Sequence, residues 1–199
     1  MLALPRVPLV GALLLALAST LSAILPPPLA AQTPRAAAAP AAPPAPRTRP
    51  ELSGYRETSR YDDVIAFIGS VSHGRRSLHV TQLGYSFEGR ALPLVVVGNV
   101  GDASPETVRR SGKLRVYIQA NIHAGEVEGK EAVLMLLRDL AAGRHARWLD
   151  SVVLLIAPIY NADGNERVSL TNRPLQNGPV GGMGQRPNAQ GLDLNRDHI

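Results

Sequence analysis

The sequence predicts an α/β fold in which helices flank a mixed β-sheet. Two stretches, 58–72 and 127–142, carry apolar residues at helical spacing. Four short runs, at 78–85, 92–97, 113–120 and 152–156, have strand character. They follow one another as helix, strand, strand, strand, helix, strand, the alternation that layers helices on a sheet.

The chain opens with Arg6 ahead of an apolar, Leu- and Ala-rich stretch from Val7 to Leu25, with small residues at Ala30 and Ala31. That is the pattern of an export signal, assigned to residues 1–31. A spanning helix is the other reading of an apolar run of this length. Pro5, Pro8 and Gly11 interrupt its start and Pro26, Pro27 and Pro28 follow it, so membrane contact is expected only through an uncleaved signal. Residues 26–50 hold nine Pro and nine Ala, which give no periodic apolar face, so 32–50 reads as an extended linker. One folded domain is expected over residues 51–199.

The net charge of +5 is misleading, because Arg6, Arg35, Arg47 and Arg49 all precede residue 50. The remainder carries 17 basic and 16 acidic side chains. Without a long basic block, nucleic acid is not an expected partner. The absence of cysteine excludes disulfides, thiolate metal sites and a cysteine nucleophile. An exported chain of this kind fits a bacterial periplasm or exterior.

Within the folded part, Tyr61, Val64, Ile65, Phe67, Ile68 and Val71 line one helical face, and Gly74 ends the helix. Leu78 to Tyr85 alternates as a half-buried strand does, Glu88-Gly89-Arg90 turns the chain, and Leu92 to Val97 is apolar enough for a buried strand. Asp102 to Gly112 is polar. Lys113 to Ala120 is the third strand. Val127 to Ala142 is the clearest helix, and Val152 to Ile156 the fourth strand. Residues 161–192 are rich in Asn, Gly, Pro and Gln, and an irregular stretch of that length is functional or disordered.

Three groups of residues carry chemistry. His123-Ala124-Gly125-Glu126 follows the third strand, at the edge where open α/β sheets bind ligands. A His and a Glu three residues apart supply two of the three protein ligands of a catalytic zinc. A helix N-terminus, where acids are favoured, accounts for the same Glu equally well, as it does for Glu128 and Glu131. Asp193-Leu194-Asn195-Arg196 places an amide beside a guanidinium, a pair suited to a free carboxylate. A surface salt bridge from Arg196 to Asp193 or Asp197 is the alternative. Asn161-Ala162-Asp163-Gly164 is a turn signature. Arg186 is a further cation, suited to a carbonyl and its developing oxyanion.

In this order, these residues resemble the zinc metallocarboxypeptidases over roughly residues 55–199. The resemblance implies an α/β/α fold of which the chain holds roughly the first half. It implies Zn2+ as cofactor, with His123 and Glu126 as metal ligands. It implies Arg186 as the residue that polarises the scissile carbonyl, and Asn195 and Arg196 as the pair that binds the C-terminal carboxylate. The substrate implied is a peptide, or a cell-wall peptide, with a free C-terminus. There are departures. Ala162 stands where the family has Pro, and Asp197-His198 where it often has Asn-Phe. The family's third zinc ligand, a later His, and its general base, a later Glu, have no counterpart. His198 is a weak substitute for the ligand. A half sheet also leaves an unpaired strand edge and exposed apolar faces, so the 199-residue polypeptide made alone is expected to be poorly soluble and inactive. Two rival readings are a zinc deacylase of N-acyl amino acids and a non-catalytic binding module. His73, His79 and His145 are expected to be structural or exposed.

Overall fold

The computed structural model describes residues 44–196. The expected export signal, most of the linker and His198 lie outside the described residues. Six helices, four strands and one 3-10 turn follow in the order α1 (Arg49–Leu52), α2 (Tyr61–Ser72), β1 (Leu78–Tyr85), β2 (Ala91–Val97), α3 (Pro105–Arg110), β3 (Leu114–Gln119), α4 (Val127–Ala141), α5 (Trp148–Ser151), β4 (Val152–Ala157), α6 (Ala162–Glu166) and the 3-10 turn Leu194–Arg196.

The strands form one mixed sheet in the order β1-β2-β4-β3. β1 and β4 pair antiparallel to β2, and β3 pairs parallel to β4. The parallel pair requires a crossover, which α4 supplies. β2 and β4 are the apolar runs of the sequence because they lie inside the sheet. Val95 and Val97 of β2 join Leu154 and Ile156 of β4 in the larger core with Val64, Phe67, Leu134 and Leu137 from α2 and α4. On the opposite face, Val96 and Val153 pack with Val108 of α3. The sheet therefore lies between helical layers. No helix among the described residues is long and apolar enough to cross a membrane.

Three structural details depart from the sequence reading. β1 alternates less cleanly than expected. Leu78 is its buried residue, while Val80 and Leu83 are about half exposed. It is an edge strand, and a register shift between Gln82 and Gly84 breaks its pairing. The polar stretch 102–112 contains α3, started by Ser104, whose Oγ accepts from Thr107 N, and by Pro105 in the first turn. Packed structure also includes the end of the stretch read as linker: Thr48 and Pro50 are buried, and Thr48 N donates to Glu51 Oε2 at 2.8 Å.

The parallel pair β3–β4 sets the site. Its ladder continues past both strands, with Ala120 N donating to Ala157 O (2.9 Å), Tyr160 N to Ala120 O (3.0 Å) and Asn161 N to Asn121 O (3.0 Å). The loops after β3 and β4 are thereby held side by side at the carboxyl end of the sheet.

Candidate functional site

The turn after β3 begins at Asn121, a buried residue with φ of 60° whose Nδ2 donates to Ala124 O at 3.3 Å. Asn is among the non-glycine side chains that enter the left-handed region most readily. The turn closes with Glu126 N donating to His123 O at 2.9 Å. His123 is thereby turned inward, 4% exposed, while Glu126 stays at the rim as the first residue before α4.

The imidazole lies between two carboxylates. Its Nδ1 is 3.1 Å from Glu126 Oε1, and its Nε2 is 2.8 Å from Asp193 Oδ1. With a proton on Nε2 shared with Asp193, the Nδ1 lone pair faces a carboxylate oxygen. Two acceptors this close call for a cation between them or for a second proton on the ring. Nitrogen and oxygen at this separation are also spaced as two neighbouring donors about 2 Å from a tetrahedral ion would be. The pair therefore fits two ligands of a zinc ion. Among the described residues, no group of three or more His, Cys, Asp or Glu side chains is gathered to hold a metal.

Asp193 was missed as a functional residue by sequence reasoning. Its Oδ2 accepts from both Nε and Nη2 of Arg186, at 3.0 and 2.9 Å, and its Oδ1 accepts from Asn195 N at 3.0 Å. The His123 bond, opposed by desolvation and reinforced by Arg186, holds its carboxyl far below the ordinary range. A carboxylate on the second ring nitrogen of a metal-binding His fixes the tautomer and the ring plane. The Asp-x-Asn-Arg sequence was the available signal, since it puts an acid on the same turn as the proposed clamp.

The candidate residues are thus unevenly gathered. His123 and Glu126 meet directly. Arg186 reaches them through Asp193. Asn195 joins by its backbone. Arg196 follows on the same 3-10 turn, exposed, with Nη1 donating to Asn195 O at 2.9 Å. Arg186 rather than Arg196 is the partner of Asp193, and Asp197 lies outside the described residues. Elsewhere, His79 Nε2 contacts Val100 O at 3.0 Å, His145 stacks on Trp148, and His73 caps α2.

Two further loops brace the turn. Asn161 Oδ1 caps Gly164 N at 2.9 Å, while its Nδ2 donates to Arg186 O and Pro187 O at 3.2 and 3.1 Å. Asp163 is buried and accepts from Ser86 Oγ (2.6 Å), Glu88 N (3.0 Å) and Arg90 Nη1 (2.7 Å), which ties the β1–β2 hairpin to this loop. Gln185 bridges the others, with its N on Gly164 O (3.0 Å) and its O accepting from Ala124 N (3.2 Å). A Cβ on Gly184 would stand 2.6 Å from Gly164 O and 2.8 Å from the Ala124 side chain. Only glycine lets these loops close.

The model of a family described as zinc carboxypeptidase, peptidase M14, matches residues 65–198. The chain is 35% identical over 118 residues to carboxypeptidase 2 of Trichophyton tonsurans, an overlap of 57% of this chain and 18% of that protein. It is 30% identical over 134 residues to carboxypeptidase D of Homo sapiens, an overlap of 57% and 10%. Among solved structures, a metallo-carboxypeptidase from Burkholderia cenocepacia is similar at a TM-score of 0.51 and 28% identity, over 70% of this chain and 33% of that one. The chain spans less than a fifth of the length of these two curated relatives.

Proposed function

Because the chain belongs to the zinc carboxypeptidase family, we propose that it forms part of an exported, zinc-dependent peptidase that removes residues from the C-terminus of peptides, cell-wall peptides included. The observation that carries this reading is the His123 ring, held by Asp193 on one nitrogen and facing Glu126 with the other. His123 Nδ1 and Glu126 Oε1 would hold the ion, which, bound there, would supply a Lewis acid for the peptide carbonyl and an activated water.

The chain's own residues do the rest. Asp193 keeps the proton on His123 Nε2, so that Nδ1 offers its lone pair. Arg186, steadied by Asp193 and by the Asn161 bonds to its backbone, turns its remaining N–H groups toward the carbonyl oxygen and the oxyanion that develops on it. Asn195 and Arg196 grip the terminal carboxylate, a role that their exposure and the guanidinium fork suit. A third donor and a general base come from outside the described residues. Among the described residues the zinc would have these two protein donors, one fewer than a catalytic site uses.

The test uses the protein in a form that includes its third donor, with zinc content and release of C-terminal residues as readouts. The expected result is stoichiometric zinc and cleavage of a short peptide, both lost in His123→Ala. An N-acyl amino acid cleaved in preference to the peptide would replace this reading with the deacylase. Full activity in His123→Ala would end both.

A further inference from the structure

The stretch 161–192 contributes a further side chain to the His123–Glu126 turn. Arg173 Nη2 donates to Glu126 Oε1 at 2.9 Å, across 47 residues of sequence. This is the same carboxylate oxygen that faces His123 Nδ1. The guanidinium is well shielded, with 17% of the Arg173 side chain exposed against 47% for Glu126.

The contact is built by the fold around it. A Cβ on Gly125 would stand 2.9 Å from Arg173 Nε and 3.1 Å from its Cγ, so the arginine stem lies directly over the glycine of the turn. The loop that carries Arg173 is itself anchored. Asn172 Nδ2 donates to Arg167 O and Met183 O, both at 2.8 Å, and Ser169 pairs with Met183. Next to Met183, the Gly184–Gln185 segment is locked to the two turns already described.

Glu126 needs such a partner. A half-exposed glutamate loses side-chain freedom when it is fixed in one position. The Arg173 bond is in place while Oε1 already stands 3.1 Å from Nδ1, at the spacing of two donors to one ion. The arginine therefore does not have to leave for the glutamate to ligate.

We infer that Arg173 is a positioning residue: it holds the Glu126 carboxylate in its metal-ligating orientation, so that the site is formed before the metal arrives. This rests on the proposal that His123 and Glu126 bind zinc. The guanidinium also repels a dication, and the positioning role requires that its ordering effect on Glu126 exceed that repulsion.

The experiment measures the zinc dissociation constant by competition with a chromophoric chelator, in the protein with its third donor. It compares wild type, Arg173→Met, Arg173→Lys and His123→Ala. Methionine keeps a stem over Gly125 and removes the donor, while lysine keeps one charged donor without the fork. The expected result is a 10- to 100-fold weaker affinity in Arg173→Met, in the range for outer partners of metal ligands, with Arg173→Lys between it and wild type. Circular dichroism of the metal-free proteins checks folding, and Arg173→Lys decides the matter if Arg173→Met does not fold. Unchanged or tighter zinc binding in the folded Arg173 variants, with binding lost in His123→Ala, overturns the positioning role alone. No saturable zinc in wild type overturns the metal site and the positioning role together.

Discussion

Of the glutamates at the start of α4, Glu126 and Glu131 stand five residues apart in completely different surroundings. Glu126 sits at the rim, with Oε1 between an imidazole and a guanidinium. Glu131, one turn further in, is buried and accepts from Thr58 Oγ1 (2.7 Å), Ser59 N (2.7 Å) and Ser59 Oγ (2.8 Å). Beside it the fully buried Lys130 donates to Ser59 O and to Asn165 Oδ1. At Glu131 every hydrogen-bond partner comes from the segment before α2, and the result is a seam between α2 and α4. At Glu126 the partners come from the turn itself and from a distant loop, and Oε1 faces the imidazole Nδ1. The inner turn is saturated and structural. The outer turn has capacity for a ligand. A helix N-terminus accounts for both acids by the dipole alone, so the difference between them comes from the neighbours that tertiary structure delivers.

Substitution separates the two glutamates most strongly through stability. Glu131→Ala strands three donors of Thr58 and Ser59 in a buried seam. Each unsatisfied group costs about 1–3 kcal/mol, so the loss on denaturant unfolding should be about 3 kcal/mol or more. Glu126→Gln touches a half-exposed side chain and should change stability by less than about 1 kcal/mol, while zinc binding falls. Equal destabilisation by both would mean that Glu126 is as structural as Glu131.

A weaker effect separates the seam from the rim by pH. Burial lowers the Lys130 pKa from 10.5 to about 8, with the Glu131 charge opposing that shift. The folded value is the depressed one. Below about pH 8 both folded and unfolded forms are protonated, and the cost of burying the charge is present in full. Between about 8 and 10.5 the unfolded chain holds more protons, so this residue's contribution to stability rises with pH. The shift corresponds to about 3 kcal/mol at most. Wild type minus Lys130→Met, followed by denaturant unfolding from pH 7.5 to 10, should show this rise. A flat difference would mean that the Lys130 ammonium is not destabilised by burial.

The same contrast explains what was legible in the sequence. α2 and α4 are visible because twelve and fifteen residues are long enough to show their period. α3, α5 and α6, of six, four and five residues, are not, and only a cap such as Ser104 or Asn161 betrays them. At the site, His123 and Glu126 were legible because three residues separate them, and the strand before them fixes where they emerge. Asp193 and Arg173 were not. They reach the turn across 70 and 47 residues, and only the docking of the loop after β4 brings them there. Glu131 reads in the sequence as an acid favoured at a helix N-terminus, and its burial beside Lys130 depends on the segment before α2, whose Ser59 has no local signature.

The smallest predicted effect concerns Asp193, the acid that joins the buried imidazole to the exposed clamp. Asp193→Asn keeps an oxygen that accepts from His123 Nε2 and loses the charge that holds Arg186. Exposed ion pairs contribute about 0–1 kcal/mol, so unfolding should barely register the change. The ring, however, loses the partner that sets its proton on Nε2. An amide is free to present its N–H2 instead, which would draw the ring into the tautomer that blocks Nδ1. Outer partners of this kind are worth 10- to 100-fold in metal affinity or activity. Zinc affinity and peptide turnover should therefore fall by that factor while the unfolding midpoint holds. A shifted midpoint with unchanged zinc affinity would make Asp193 a strut for Arg186 and the 3-10 turn, and would move the rim of this site into the same structural class as the seam beneath it.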